Sequence, residues 1–209
     1  MSKIKNSIRK LIRGHRMRQF KNVSSTAIIQ RNVKVYNKDN LVMGEKTNIN
    51  FGAIIMNTRA KFIMGDYSGA AFGLKVITGN HMSVVGKNHK QISDVDKDAM
   101  PSSKEFDKDI IVEEDVWLGA DVTLLFGSYV KRGAIIGAGS VVRSVIPPYA
   151  IVTGNPAKVV GFRFTPQEIM EHESKVYNES ERIPAAILEK NYKKYFLNRI
   201  KEISTYIKP

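Results

Sequence analysis

The sequence has no cysteine, which excludes disulfide bonds, thiolate nucleophiles and every metal centre that needs cysteine ligands. The same absence favours a reducing compartment. No apolar run approaches the roughly 20 residues needed to span a bilayer, and the N-terminus lacks the continuous apolar core of a secretory signal. We therefore expect a cytoplasmic protein.

Acidic residues are scarce relative to basic ones: 20 Asp and Glu stand against 33 Lys and Arg, a net charge of +13. This excess predicts an anionic partner, and nucleic acid, an anionic membrane surface and a polyphosphate cofactor are all compatible with it. Apolar residues make up 43% of the chain and charged residues 25%, proportions typical of a soluble globular protein. A chain that is disordered throughout is thereby excluded.

Part of the basic excess lies in residues 1–22, where apolar residues recur at helical spacing. The recurring positions are Ile4, Ile8, Leu11 and Ile12. This spacing predicts a short basic amphipathic helix. The favoured interpretation is a helix packed on the main body or on a neighbouring subunit with its charges in water. The alternative is peripheral contact of residues 2–21 with an anionic membrane, and nucleic-acid binding is not expected.

The middle of the chain has a six-residue repeat. A large aliphatic residue occupies six successive positions of this repeat, namely Val112, Leu118, Leu124, Val130, Ile136 and Val142. A helix with 3.6 residues per turn cannot hold this register, and an alternating strand does not explain why one residue in six must be large. Three hexads, each with one short strand and one corner, would form a triangular coil. Each aliphatic side chain would then stack on its counterpart one coil above.

The same register extends less regularly toward the N-terminus. Met43, Ile49 and Ile55 are in phase, and Met64, Ala70 and Val76 are in phase after a shift of three residues. We interpret the shift as a bulged corner. Small residues are expected where a corner leaves little room, and glycines where the backbone needs a positive φ.

The repeat stops between His81 and about Lys108, where the residues turn polar. Loops longer than about 12–15 residues inside a compact domain are usually functional or disordered. The pattern therefore predicts that a loop over about residues 82–108 leaves the coil directly after a histidine.

A helical tail is predicted over residues 165–209. Thr165, Pro166 and Glu168 form the pattern of a helix start, with a threonine cap, a proline in the first turn and a glutamate three residues after the cap. We expect the tail to break near Pro184 and to cap or clasp the coil.

Three segments carry a resemblance to a known family. They are residues 76–81 (VITGNH), residues 114–120 (EDVWLGA), and residues 137–142 (GAGSVV) leading into 146–160 (IPPYAIVTGNPAKVV). Their order and the unbroken six-residue register between the last two make the combination specific. Over about residues 23–164 the chain resembles the hexapeptide-repeat acyltransferases, particularly the sugar, capsular-polysaccharide and xenobiotic O-acetyltransferases.

The resemblance implies an all-β fold, the left-handed parallel β-helix. It also implies a homotrimer with active sites between subunits, and acetyl-CoA as the acyl donor. His81 occupies the place of the family's catalytic histidine, which takes the proton of an acceptor hydroxyl as that hydroxyl attacks the thioester carbonyl. Direct transfer agrees with the lack of cysteine. His15 and His172 are interpreted as solvated or structurally satisfied side chains.

Four residues are candidates for the active-site wall: Asn80, Trp117, Asn50 and His89. Trp117 resembles the family tryptophan beside the histidine, and it also fits an aromatic side chain at a subunit interface. Asn50, like Asn48, resembles residues that hold sugar acceptors in relatives, although an asparagine at a tight corner is the favoured interpretation. His89 lies in the predicted loop and is a candidate for acceptor contact.

For the donor, the resemblance implies a pantetheine arm lying over Ala120 and Ala138, where small side chains permit close approach. The backbone N–H of Gly119 or Ala120 is the candidate donor to the oxyanion. Lys158 matches a basic position that meets the nucleotide phosphates in relatives. Arg143 stands where a threonine is common, and Arg163 is a possible substitute for the basic residue that Gly161 replaces.

The leading hypothesis is acetyl-CoA-dependent O-acetylation of a saccharide, and xenobiotic acetylation is the close alternative. A zinc enzyme on the same coil needs three converging histidines, and none follows His89 before His172, so no metal site is predicted. The non-enzymatic alternative is a basic trimeric scaffold that binds an anionic surface. A scaffold, however, does not require a histidine followed by a long polar loop.

Overall fold

The computed structural model describes residues 19–100 and 105–205. Residues 1–18, which carry most of the predicted basic helix, lie outside these ranges. The described strands are β1 (Ile28–Ile29), β2 (Lys34–Val35), β3 (Leu41–Met43), β4 (Asn48–Ile49), β5 (Ile54–Met56), β6 (Phe62–Met64), β7 (Gly69–Ala70), β8 (Lys75–Ile77), β9 (Ile110–Val112), β10 (Trp117–Leu118), β11 (Thr123–Leu125), β12 (Tyr129–Val130), β13 (Ile135–Ile136), β14 (Val141–Val142), β15 (Val145–Ile146), β16 (Ala150–Thr153) and β17 (Lys158–Phe162).

Consecutive strands pass through three sheets in turn. One sheet has the order β1-β4-β7-β10-β13-β16-β17, a second β14-β11-β8-β5-β2 and a third β15-β12-β9-β6-β3. Up to β16 each strand pairs in parallel with the strand three places along the chain, so three strands make one turn of a coil. Only the last pair, β16 with β17, is antiparallel among the described strands. We refer to this coil of three sheets as the prism.

The six-residue repeat corresponds to the strands of the prism, as predicted. Leu118 pairs with Ile136 and Leu124 with Val142, each one turn apart. These side chains are fully buried in the interior. Small residues stand four positions after Leu124, Val130 and Ile136 and are buried at the corners. One of them is Ser128, whose hydroxyl donates to the Val142 carbonyl at 2.9 Å.

Positive φ angles recur at the corners with the same period. They occur at Asp115 (56°), Asp121 (55°), Gly127 (73°), Gly133 (70°) and Gly139 (71°). Glycine is therefore not the only residue at these corners, because aspartate tolerates the left-handed region better than most residues. The shift between Ile55 and Met64 is a longer corner, where buried Asn57 accepts from the Asn37 N–H at 3.1 Å and donates to its carbonyl at 2.8 Å.

The polar loop leaves the prism after β8 and returns at β9. It contains a one-turn 3₁₀ segment (His89–Gln91) and helix α1 (Asp94–Ala99), which was not predicted. The parallel ladder continues across the loop, because Phe62 pairs directly with Ile110. The loop is therefore an insertion between two adjacent turns of the coil.

Up to residue 205, where the described part of the chain ends, three α-helices follow the prism: α2 (Pro166–Val176), α3 (Ala185–Tyr195) and α4 (Ile200–Ile203). The predicted helix start is confirmed, since the Thr165 side chain accepts from the Glu168 N–H and the Glu168 side chain accepts from the Thr165 N–H. Ile169 and Leu188 pack against buried Tyr149 and attach these helices to the end of the prism. No helix within the described ranges is long and apolar enough to cross a membrane.

Candidate active site

The backbone just before His81 is hydrogen-bonded to residues at the other end of the polar loop. Gly79 forms an antiparallel bridge with Asp107, and the Asn80 N–H donates to the Phe106 carbonyl at 2.7 Å. A Cβ on Gly79 would lie 2.4 Å from an Asp107 carboxylate oxygen, so a larger residue would have to displace this carboxylate. The segment that returns to the prism before β9 thus fixes the backbone just before the histidine.

His81 itself is exposed and lies beside a cavity. The Asn80 side chain accepts from the backbone N–H of His81 at 2.9 Å, and the exposed histidine is among the residues that line the cavity. The cavity has a volume of about 450 Å³, and its wall includes Arg59, Asn80, His81, Ser93, Asp94, Lys97 and Asp107. His89 is close by, with its ring 6.3 Å from that of His81 and edge-on to it. Of the predicted wall residues, Asn80 and His89 therefore accompany His81.

An ion-pair network that the sequence analysis missed forms the floor of this cavity. The Asp107 carboxylate accepts from Lys97 at 2.8 Å and from Arg59 Nε at 2.9 Å. Arg59 also pairs with Asp98 and lies 3.6 Å from Asp94, both on α1. The hydrogen bond to Asp98 raises the pKa of Arg59. The partners are distant in sequence and follow no repeat, so no sequence signal could have grouped them.

Trp117 lies on another face of the prism, on β10. Its side chain is 47% exposed, and its ring covers Gly69 of the preceding turn, where a Cβ would lie 3.1 Å from Cζ3. A cavity of about 220 Å³ beside it is lined in part by Asn48, Asp115 and Arg163. Arg163 is committed to this face, because it donates to the Asp115 carboxylate at 2.8 Å and to the Gly133 carbonyl at 3.0 Å.

The corner that follows the Trp117 strands presents one residue from each turn. Its column contains Phe51, Phe72, Ala120 and Ala138, tied turn to turn by backbone hydrogen bonds from Gly73 to Phe51, from Asp121 to Phe72 and from Gly139 to Ala120. The two phenylalanine rings stack with centroids 5.7 Å apart. The column therefore changes from bulky aromatic to methyl side chains at Ala120.

The backbone N–H groups of Gly119 and Asn50 form hydrogen bonds between successive turns of the coil. The Gly119 N–H donates to the Ile136 carbonyl at 2.8 Å, so of the two predicted oxyanion donors only the Ala120 N–H remains a candidate. A Cβ on Gly119 would lie 2.7 Å from the Ala138 nitrogen, which explains the glycine. Asn50 donates from its backbone to the Ala70 carbonyl at 3.2 Å at the corner after β4. This position agrees with the interpretation of Asn50 as a corner residue.

The predicted phosphate-binding residues are spread along the prism. Arg143 is exposed after β14. Lys158 is exposed on β17, with its ammonium 3.8 Å from the Glu202 carboxylate. Within residues 19–100 and 105–205 no three His, Asp or Glu side chains are grouped to hold a metal ion.

Comparisons with known proteins give several matches. A chloramphenicol acetyltransferase from Agrobacterium fabrum is 35% identical over 111 residues, covering 49% of this chain and 50% of that protein. A maltose O-acetyltransferase from Clostridium difficile has a crystal structure that matches with a TM-score of 0.57 at 22% identity, covering 70% of this chain and 72% of that one. A hexapeptide-repeat-containing acetyltransferase from Vibrio cholerae, complexed with acetyl-CoA, gives a TM-score of 0.61 at 21% identity and covers 73% and 77%.

No protein-family model matches the chain. The chain spans about half or less of the length of the curated relatives that it matches. The matches nevertheless confirm the predicted resemblance to the hexapeptide-repeat acetyltransferases, and the solved structures share the fold.

Proposed function

We propose that this chain is an acetyl-CoA-dependent O-acetyltransferase that acts on a saccharide hydroxyl, with His81 as the general base. The observation that carries the proposal is the position of His81. Its exposed imidazole borders a cavity of about 450 Å³ where the polar loop leaves the prism. Small-molecule sites have volumes of about 300–1,000 Å³, so a sugar unit fits. The maltose O-acetyltransferase among the matched structures supports the choice of a saccharide.

His81 supplies the proton transfer that the reaction needs. A ring nitrogen takes the acceptor hydroxyl proton while the hydroxyl oxygen bonds to the thioester carbonyl carbon. When the carbon–sulfur bond breaks, the same imidazole returns the proton to the leaving thiolate. An imidazole suits both steps because it changes charge near neutral pH. The Ala120 N–H is the candidate donor to the developing oxyanion.

The methyl side chains of Ala120 and Ala138 support a donor arm along one corner. Successive turns present only these small groups there, so a flexible chain with amides can approach the backbone. Exposed Lys158 and Arg143 are the proposed contacts for the donor phosphates. Arg163 would first have to leave Asp115, which makes it the weaker candidate.

We further propose a homotrimer built on a left-handed coil, with each active site between two subunits. Ala120 and Ala138, which we call the alanine strip, lie on a different part of the prism from His81 within one chain. A neighbouring copy would therefore have to complete the site. The catalytic unit is proposed to span residues 23–164, with the cavity-lining residues of the loop over 82–108 facing the acceptor and residues 165–209 clasping the end of the prism.

A second candidate function is acetylation of a xenobiotic hydroxyl. It is favoured by the match to a chloramphenicol acetyltransferase from Agrobacterium fabrum, which is 35% identical over 49% of this chain. Release of free thiol from acetyl-CoA distinguishes the two functions when maltose, other glycosides and chloramphenicol are compared as acceptors. Saccharide-dependent release supports the leading proposal, and release with chloramphenicol alone supports the second. No release with any acceptor, together with no binding of acetyl-CoA, would favour a basic scaffold.

A further inference from the structure

We propose that Lys97 is a positioning residue for His81 and that, with Asp107 and Arg59, it holds the catalytic segment in its working geometry. The inference rests on the proposed role of His81 as the general base. It concerns a lysine in the middle of the polar loop, on helix α1, whose ammonium is bound to the Asn80 carbonyl and the Asp107 carboxylate.

The Lys97 ammonium joins the three pieces of backbone that meet at the cavity. It donates to the Asn80 carbonyl at 3.0 Å and to the Asp107 carboxylate at 2.8 Å, while its own Cα belongs to α1. Asn80 directly precedes His81, and Asp107 lies on the segment that returns to the prism before β9. One side chain therefore fixes the histidine segment, the returning segment and the loop helix relative to each other.

Burial makes this link strong. Lys97 is only 8% exposed, whereas lysine is almost never buried without a partner. A buried ammonium and its carboxylate interact through a low local dielectric, so the pair is hard to separate once formed. Arg59 also donates to the Asp107 carboxylate, at 2.9 Å. The same arginine pairs with Asp98 of α1, so it too links the loop helix to Asp107.

The link acts on the histidine through its neighbour. The Asn80 carbonyl is held by Lys97, the Asn80 N–H by Phe106, and the Asn80 side chain accepts from the His81 N–H. The backbone N–H, the backbone carbonyl and the side-chain oxygen of Asn80 are thus all hydrogen-bonded, so a rotation of this residue breaks at least one of these bonds. Without Lys97 the carbonyl loses this donor, and the peptide plane before His81 keeps only the bond from the His81 N–H to the Asn80 side chain.

The test compares Lys97→Met with Lys87→Met. Methionine keeps the apolar stem and removes the ammonium. Lys87 is a matched control, since it pairs with Asp96 of the same loop helix and lies outside the cavity. A misplaced base reduces the chemical step more than donor binding, so for Lys97→Met we expect kcat to fall at least about tenfold with the KM for acetyl-CoA within about twofold. Lys87→Met should match wild type.

Two further variants separate positioning from folding. Lys97→Arg keeps a cation that can donate to both acceptors and should recover most of the lost kcat. Asp107→Asn keeps the shape of the acceptor and removes its charge, and it should fall between wild type and Lys97→Met. Circular dichroism and the thermal midpoint report whether each variant retains the prism, whose core is remote from this loop.

A readout independent of activity is the NMR signal of the His81 imidazole in protein with labelled histidine, assigned with His81→Ala. Lys97→Met should shift this signal and Lys87→Met should not. An unshifted His81 signal in folded Lys97→Met, or a kcat equal to that of Lys87→Met, overturns the inference. If wild type shows no acetyl transfer, the proposed function fails, and with it the catalytic meaning of the link, while the imidazole signal still shows whether the link exists.

Discussion

His81 and Trp117 lie in separate cavities of the same chain, with no lining residue in common. His81 follows β8, whereas Trp117 lies on β10, and these strands belong to different sheets. A single prism therefore does not bring the two predicted active-site residues together. If both belong to one site, the second half has to come from another copy of the chain.

Subunit mixing tests this arrangement. His81→Ala removes the base, and Ala138→Phe blocks the strip proposed for the donor, so each pure variant should be inactive. Random mixing in a cyclic oligomer pairs an intact histidine with an intact strip at about a quarter of the sites. Refolded mixtures should therefore regain about a quarter of wild-type activity. Mixtures that stay inactive would place both elements of the site on one chain.

Gly119 should be required for stability rather than for chemistry. An added Cβ would lie 2.7 Å from the Ala138 nitrogen and 2.8 Å from the Ile136 carbonyl oxygen, both of them backbone atoms that cannot step aside. Gly119→Ala is expected to lower the free energy of unfolding by about 1–3 kcal/mol in urea denaturation. Gly161→Ala is the control, because no atom lies within 4 Å of its added Cβ. Equal stability of the two variants would contradict this interpretation of the corner.

The stabilisation that the Tyr129 hydroxyl provides should be lost at alkaline pH. Its hydroxyl donates to the Glu113 carboxylate, which raises the pKa of Tyr129 from an ordinary value of 10 to about 12. The folded state then holds this proton more tightly than the unfolded chain, so its stabilisation is complete below pH 10 and is lost as the pH rises toward 12.

The measurement is the free energy of unfolding across that pH interval for wild type and Tyr129→Phe. The wild-type value should fall more steeply than that of the variant. Tyr36→Phe, at a tyrosine that is 63% exposed, should keep the wild-type slope. Parallel curves for wild type and Tyr129→Phe would show that this hydrogen bond does not contribute.

Glu173 should anchor the C-terminal helices. Its buried carboxylate accepts from Tyr149 at 3.1 Å, from the Ile183 N–H at 2.6 Å and from Arg132 at 3.2 Å. Glu173→Ala removes the acceptor of the Tyr149 hydroxyl and of the Ile183 N–H, while Arg132 keeps its bonds to Glu114 and to the Glu181 carbonyl. The substitution is expected to cost about 1–3 kcal/mol of unfolding free energy. Glu171→Ala, which removes an exposed pair with Lys175, should leave the free energy of unfolding close to the wild-type value. Similar losses in both variants would argue against the anchor.

Much of the fold could be predicted because the interior of a coil requires the same kind of side chain at the same position of every turn. Each turn needs an aliphatic side chain at the position of Leu118 or Ile136, so the chain carries the pattern at a fixed interval. The loop was visible as the loss of that interval, and the start of α2 as a local capping pattern at Thr165. The link between Lys97 and Asp107 was not visible, because pairing across a folded loop imposes no spacing. The commitment of the Gly119 N–H to Ile136 likewise depends on the register between turns.

The most direct measurement is acceptor-dependent release of thiol from acetyl-CoA, followed for wild type and His81→Ala with maltose, other glycosides and chloramphenicol. We predict release that needs an acceptor and falls by about 10²–10⁴ in His81→Ala, the usual contribution of a general base, with acetyl-CoA binding retained. Equal rates in the two proteins would contradict the assignment of His81. Absence of both release and acetyl-CoA binding in wild type would contradict the proposed function itself.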